Sequence, residues 1–519
     1  MTGDGAGRSG SAGWEGAGMA QRQAVDQGTG GAPSRVAVET NGINVIAEEE
    51  RHGAPRSLFW PWFGANVSVL GLAYGSFLLG FGISAAQALV AGVAGIVVSF
   101  LLCGLVAIAG KRGSAPTLVL SRAAFGVHGN RVPAVLSWVL TVGWETVLVS
   151  LATLATATVF TQLGWSGGTA TQVVALLVVA LLVVAGGVLG FDAIMRMQRV
   201  ITVVSGVLTV VYVALVAGEV DWSAVGEAPS GSTAAFVGAL VLAMTGYGFG
   251  WVNAAADYSR YLPRTASTPG VVGWTTFGGA LAPVVLLATG LLLAASDPEL
   301  SAGIGGDPIG ALGSILPTWF LVPFVVVAVL GLVGGALLDI YSSGLSLLAA
   351  GLRVPRPVAA SIDGALMVLG TVLVVFVATG GFFVQFQGFL ITLGVPIAAW
   401  CGVFLGDLAL RRRHYAEADL YDPRGRYGAA PPVPLLLLLL GTVLGWGLVT
   451  NTYAGWLDWQ GYLLGPLGLG GREGAWAFAN LGVLAAFLVG LLGTLALRRS
   501  AVRAQEAVAA APGRPPAVR

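Results

Sequence analysis

Glu145 and Asp339 are the only acids placed deep within long apolar stretches of this 519-residue chain. Asp192, Asp257, Asp363 and Asp407 fall at the ends of such stretches. An acid at the middle of a membrane helix costs about 2.5–3.5 kcal/mol on insertion scales, so it is a functional candidate by default. Such a group accepts hydrogen bonds from a ligand, carries a coupled proton, or serves as a salt-bridged or protonated structural acid. Ser137, Thr141 and Glu145 recur every four residues and share one helix face, with Trp144 beside Glu145. Catalytic machinery of the usual kinds is absent from the pattern. His52, His128 and His414 all lie in polar segments, Cys103 and Cys401 sit singly in apolar runs, and no Cys/His cluster has metal-ligand spacing. An intramembrane enzyme would need a convergent nucleophile, base or metal set. A channel would favour a continuous polar lining.

The elements that must position these residues follow from composition. The chain is 56% hydrophobic and 10% charged, with 78 Gly and a mean hydropathy of +0.83. So few charges cannot cover a soluble protein of this size, which leaves an all-α polytopic membrane protein. The net charge of +1 gives no bulk basicity for nucleic acid. Apolar stretches of about 20 residues or more predict twelve spans: 58–82, 84–109, 132–161, 172–190, 199–217, 234–255, 271–295, 317–351, 357–378, 382–410, 434–452 and 475–497. The stretch 317–351 reads either as one tilted helix or as a span plus a short surface helix. Residues 1–57 form an N-terminal tail, disordered over about the first 34, and 498–519 form a disordered C-terminal tail. With twelve spans, all of the 26 Lys and Arg except Arg472 fall on the face shared by both termini. By the positive-inside rule that face is cytoplasmic. The loop 411–433 lies there too, and its arginines are topology determinants rather than nucleic-acid or lipid sites.

Two spans carry breaks. Span 1 reads FWPWFGANVSVLGLAYG, with Pro61, Gly64, Asn66 and Ser68 inside the apolar run. Span 6 reads MTGYGFGWVNAAADY, with Gly246, Gly248 and Gly250 at alternate positions and then Asn253. Alternate glycines are poor helix material. Taken singly, each segment reads as close packing through small residues. As a pair heading two consecutive sets of five spans, 58–217 and 218–410, they point to an inverted-repeat carrier with substrate bound where the helices unwind. Spans 11 and 12 (434–497) trail the two repeats.

Four stretches, in order, resemble the nucleobase–cation symporter-1 family, in particular its purine–cytosine permease branch. They are VETNGINVIAEEERHGAPRSLFWPWFGAN (Val38 to Asn66), KRGSAPTLVLSRAAFGVHGNRVP (Lys111 to Pro133), ADYSRYLPR (Ala256 to Arg264) and GDLALRRRHYAEADLYDPRGRYG (Gly406 to Gly428). The resemblance implies a leucine-transporter-type fold of five-plus-five inverted repeats and two trailing helices. It also implies uptake across the cell membrane of a nucleobase or related heterocycle, driven by Na⁺ or H⁺, with no other cofactor. Close substrate alternatives are hydantoin, allantoin and pyrimidine vitamin precursors. The expected partners are that heterocycle and membrane lipid.

The resemblance places a stacking aromatic at Trp144 and another near the span 6 break, where Tyr247 is the nearest match and Phe249 the competitor. Glu145 departs from the family, many members of which carry an apolar residue after that tryptophan. It would bind the substrate edge or carry the coupled proton. Thr141, Gly246, Asn66, Asn253 and Gln385 complete the expected substrate set, with Gln387 beside Gln385 as a further edge reader or gate residue. In sodium-coupled relatives the ion sits between span 1 carbonyls and the middle of span 8. The equivalents here are Gly64, Ala65, Val67 and Ser68, facing Gly331, Gly334 and Gly335. Glycine offers no side-chain oxygen, and a hard cation wants several oxygens, so the sodium site reads as depleted. Asp339, one turn past Gly335, and Glu145 make proton coupling the expectation.

Overall fold

The computed structural model describes residues 38–378, 382–451 and 455–508, and over 382–387 the backbone alone. The expected disorder over about the first 34 residues and over 509–519, and the side chains of Gln385 and Gln387, lie outside the described residues.

Every regular element among the described residues is a helix. Spans 2 to 10 are Ala85–Gly113, Arg131–Gln162, Thr169–Leu189, Phe191–Glu219, Thr233–Trp251, Thr268–Ser296, Thr318–Ala350, Arg356–Val377 and Gly388–Leu410. Each is long and apolar enough to cross a bilayer. Span 1 is a pair, Pro55–Asn66 and Leu70–Leu79, bent by 66° at the break. With each bent pair taken as one, up to eleven spans are long and apolar enough among the described residues. The helices at the positions of expected spans 11 and 12, kept under those numbers, are the shorter Pro432–Trp446 and Leu481–Leu497, the latter passing only with the bent Arg499–Ala507. The outward faces carry Val174, Leu181, Val210 and Leu439, each at least 60% exposed. Contiguous exposed apolar surface of this kind suits hydrocarbon, not water.

Local chemistry explains the boundaries. Ser84 and Gln87 close a capping box at the start of span 2. Span 8 runs unbroken from Thr318 to Ala350 and stops at Gly351, whose φ of +117° ends the helix. The single-helix alternative for 317–351 therefore holds. Span 5 begins at Phe191, two turns earlier than the apolar run suggested. Spans 3 and 8 lie along one another, span 9 packs on spans 3, 4 and 8, and span 7 packs on spans 1 and 2. Spans 10, 11 and 12 pack mainly on one another.

The basic segments meet on one face. Ile46 N–H donates to Ser114 O (2.8 Å), Arg112 to Arg413 O (2.8 Å), and Arg122 to Leu420 O (3.2 Å). One expectation is corrected here. Arg499–Ala507, assigned to a disordered tail, is a helix bent by 57° from span 12. Its Gln505 accepts from Arg411 (2.7 Å), and its Glu506 accepts from the backbone N–H groups of Arg412 and Arg413 (2.8 Å each). These tertiary contacts order a segment whose composition alone reads as unstructured.

Candidate substrate and coupling site

Both expected breaks are real and lie in contact with one another. In span 1 the helix stops at Asn66, Val67 takes φ −81° and ψ 73°, and the chain restarts at Leu70. Asn66 turns its amide back onto Trp62 O (2.8 Å), and Ser68 Oγ accepts from Leu70 N–H (3.3 Å). In span 6 the helix Thr233–Gly246 ends at Tyr247 (φ −120°, ψ −102°), a single turn Gly248–Trp251 follows, and the backbone unwinds again before Ala255. Broken backbone in a membrane must find other partners. Here span 2 supplies them: Ser99 Oγ accepts from Gly248 N–H (3.1 Å), and Cys103 Sγ donates to Gly248 O (3.1 Å).

The aromatic residues divide. Tyr247 packs on Tyr74 of span 1 with ring centroids 4.6 Å apart. Gly246 makes room for the Tyr74 ring, since a Cβ there would collide with it. Trp144 meets Phe389 of span 10 edge-on at 6.2 Å, and its Nε1 would stand 3.0 Å from a Cβ at Gly250. The indole therefore rests on the turn that follows Tyr247. Phe249 instead packs on Phe487 of span 12, so of these two candidates Tyr247 is the one that faces span 1, where Trp251 also packs edge-on against Trp62 at 5.7 Å. Thr141 spends its hydroxyl proton within its own helix, on Ser137 O (3.0 Å) and Trp138 O (3.1 Å). Asn253 donates to Ser137 Oγ (2.8 Å), which pairs with Ser346 Oγ (3.0 Å), so a polar chain ties span 6 to spans 3 and 8. Gln385 was expected in the same set, and its side chain lies outside the described residues.

Glu145 is fully buried and Asp339 is 1% exposed. No hydrogen bond of good geometry reaches a carboxylate oxygen of either. Span 8, which carries Asp339 and Ser343, lies along span 3, which carries Glu145. Asp363 was set aside as a span-end acid. It lies two turns inside span 9, fully buried, and accepts from Trp138 Nε1 (2.7 Å) and Ser343 Oγ (3.0 Å). Asp257, also buried, is tied to Thr117 N–H (2.7 Å) and Thr117 Oγ1 (2.8 Å), which fixes the loop after span 2.

The expected ion residues are brought together, but as a contact between backbones. A Cβ on Gly331 would strike Val67 O, one on Gly334 would lie 2.6 Å from Gly64 O, and one on Gly335 would lie 3.4 Å from Ala65 O. Glycine at these positions lets span 8 press against the broken part of span 1. Gln198 of span 5, unnoticed in the sequence because Arg196 and Arg199 flank it, donates to Gly334 O (2.6 Å). Its Oε1 is buried against Gly64 without a partner. The polar side chains that meet Gly64 are thus a neutral amide, Gln198, and a hydroxyl, Thr202.

Comparison with known proteins agrees with this architecture. The structure of Mhp1, a nucleobase–cation-symport-1 family transporter in a closed conformation with bromovinylhydantoin bound, is similar at a TM-score of 0.65 and 18% identity, covering 90% of this chain and 96% of that one. A Na⁺-coupled sialic acid symporter in a substrate-bound outward-open state is similar at a TM-score of 0.58 and 11% identity, covering 89% and 93%. YxlA of Bacillus subtilis (strain 168), whose name places it among the purine-cytosine permeases, is 23% identical over 451 residues, 85% of this chain and 93% of that one. The family profile described as permease for cytosine/purines, uracil, thiamine, allantoin matches residues 45–460. The chain therefore belongs to that permease family, as a multi-pass membrane transporter and not an enzyme.

Proposed function

We propose that this permease imports a nucleobase of the purine or cytosine type, or a related heterocycle such as a hydantoin, allantoin or a pyrimidine vitamin precursor, by proton symport. The heterocycle lies between Trp144 and Tyr247, whose faces stack on it, while Glu145 and Asn253 read its edge. Spans 1–5 and 6–10 act as inverted repeats that rock about this point, with spans 11 and 12 trailing. Both termini are cytoplasmic and the protein resides in the plasma membrane, the side assignment following from the arginine distribution.

The observation that carries the choice of proton over sodium is the meeting of span 1 and span 8. Gly331, Gly334 and Gly335 bring no side-chain oxygen to the carbonyls of Gly64, Ala65 and Val67, and the amide of Gln198 is bound to Gly334 O. A hard cation needs several oxygens in place of its water. Two acids stand nearby without a cationic partner among the described residues, Glu145 and Asp339, and a buried carboxyl of that kind is neutralised by a proton.

Uptake into proteoliposomes decides the matter. Purified protein is given an inward proton gradient or an inward Na⁺ gradient and tested on cytosine, uracil, adenine, guanine, hypoxanthine, allantoin and hydantoins. Accumulation of at least one ring compound under the proton gradient alone is expected. Trp144→Ala is expected to weaken binding of that compound by about 10-fold or more, and Glu145→Gln to abolish the response to the gradient. Uptake that follows Na⁺ and ignores ΔpH would reject proton coupling, and indifference of every hit to both substitutions would misplace the pocket.

A further inference from the structure

Asp363 has no place in substrate binding, yet it is a fully buried acid joined to two other spans. Its position along the membrane is informative. It stands 7 residues from the start of span 9 at Arg356, and its partner Trp138 stands 7 residues from the start of span 3 at Arg131. Both therefore lie about 10 Å inside the basic face, at 1.5 Å per residue. Glu145 is 14 residues from Arg131, about twice as deep. Side chains of a helix lean toward its N-terminus, so the Glu145 carboxyl leans toward the basic face. Ser343 stands between the two depths: its hydroxyl donates to Asp363 Oδ2 at 3.0 Å. The pairing of Ser346 with Ser137 and of Gly335 with Leu148 runs span 8 along span 3, so that Ser343 lies between the levels of Ser137 and Glu145.

We propose, building on the proton-symport reading, that Asp363 is the inner station of the proton path, receiving from Glu145 through the Ser343 hydroxyl and releasing toward the basic face. The transfer balances within three groups. Protonated Glu145 donates to Ser343 Oγ while the Ser343 O–H passes its own proton to the Asp363 carboxylate. Glu145 is left ionised and Asp363 neutral. Ser343 then turns back to its first orientation, and Asp363 loses its proton to water when the basic face opens.

The neighbours of Asp363 suit this role. Span 9 packs on spans 3, 4 and 8. Span 4 carries no titratable residue, span 3 offers Glu145 and Arg131, and span 8 offers Asp339 and Tyr341. Arg356 of its own helix is engaged elsewhere, on the carbonyls of Gly187 (2.7 Å) and Val188 (2.6 Å). Asp363 forms no ion pair among the described residues, so its charge follows its proton. The Trp138 N–H gives the ionised form one fixed donor.

The test separates transport that moves protons from exchange that does not. Full-length protein in proteoliposomes is assayed for accumulation driven by an imposed ΔpH and for counterflow of the best ring compound at equal pH on both sides. Asp363→Asn and Ser343→Ala are each expected to lower driven accumulation about 10-fold or more while counterflow stays close to the parent level, and Asp363→Glu restores part of the driven uptake. The inference is overturned if both variants accumulate as the parent does, or if accumulation and counterflow fall together in folded protein, as a merely structural tie requires. A parent protein that ignores ΔpH would sink the proton-symport reading itself, an outcome visible before any variant is made.

Discussion

Two groups of buried carboxylates occupy this permease, and their surroundings are opposite. On the basic face, Asp407 is held by Arg411 (2.5 and 3.1 Å) and by Arg498 (3.3 Å). Glu39 is held there by Arg260 (2.7 Å), Tyr261 (2.8 Å), Tyr341 (3.1 Å) and the Phe191 N–H (2.8 Å). In spans 3, 8 and 9, Glu145, Asp339 and Asp363 meet hydroxyls, an indole or nothing, and among the described residues no guanidinium. Arginine does not lose its proton in proteins, so a carboxylate paired with it keeps one charge state and works as a fastening. A buried carboxyl with neutral neighbours is charged only when its proton leaves. The first group fixes the structure, and under the proton-symport proposal the second changes state during the cycle.

The largest effect should come from cutting a fastening. Removing one partner of a buried ion pair leaves the other charge uncompensated, at a cost of about 3–5 kcal/mol. Asp407→Ala strands Arg411 and Arg498 together, so it is expected to lower the thermal midpoint sharply. The two thiols, Cys103 and Cys401, are both buried, so a thiol-reactive dye reports unfolding directly. A variant as stable as the parent would erase the distinction between the two groups.

Glu39 gives a smaller effect with a pH signature. Burial by itself would push its carboxyl up, but Arg260, the Phe191 N–H, Arg356 and Tyr261 outweigh it and hold the group below the usual glutamate value. A carboxyl that is more acidic in the folded state stabilises fully above its unfolded value, about 4.3, and the contribution disappears as pH falls through the lower folded value. Glu39→Gln should cost about 1.5–3 kcal/mol near neutrality, the worth of hydrogen bonds to a charged group. Its stability should also fall less steeply than the parent's as the buffer is acidified through that range. Parallel curves for the two proteins would show that the segment from Val38 is not fastened through this charge.

These contrasts were only partly legible in the sequence. The break in span 1 could be read because Pro61, Gly64, Asn66 and Ser68 interrupt an apolar run, and the depth of Glu145 and Asp339 could be read from the length of theirs. The loss of side-chain oxygens at Gly331, Gly334 and Gly335 was also visible. Gln198 was missed because its arginine neighbours suggested a helix end, whereas the helix starts at Phe191. Asp363 was missed for a related reason, since nearness to a span end says nothing about which way a side chain is buried. Tyr247 was the nearer match in the sequence, with Phe249 as its competitor. They are separated by the dihedral angles at Tyr247 and by Phe487, and Phe487 comes from a span more than 200 residues away. The order of Arg499–Ala507 depends on Arg411, Arg412 and Arg413 in the same way. What the sequence withholds is therefore tertiary: which of two competing candidates meets its partner.

The smallest expected effect is the most discriminating. Glu145→Gln and Asp339→Asn replace each carboxyl with an amide of nearly the same shape and remove no ion pair, because none is made among the described residues. Neutral replacement of a buried ionisable group lacking a partner is close to neutral for stability or favourable, because the desolvation cost disappears with the charge. Both variants should keep their thermal midpoint within about 1 kcal/mol of the parent, or rise above it. Transport driven by a proton gradient is nevertheless expected to fail in Glu145→Gln, so stability and coupling come apart in one protein. Asp407→Ala should show the reverse pattern, losing stability first and activity only as a consequence. A fall of the size expected for Asp407→Ala in either amide variant would mean that the mid-membrane acid holds the helices together as a fastening does, and the proton would then have to travel elsewhere.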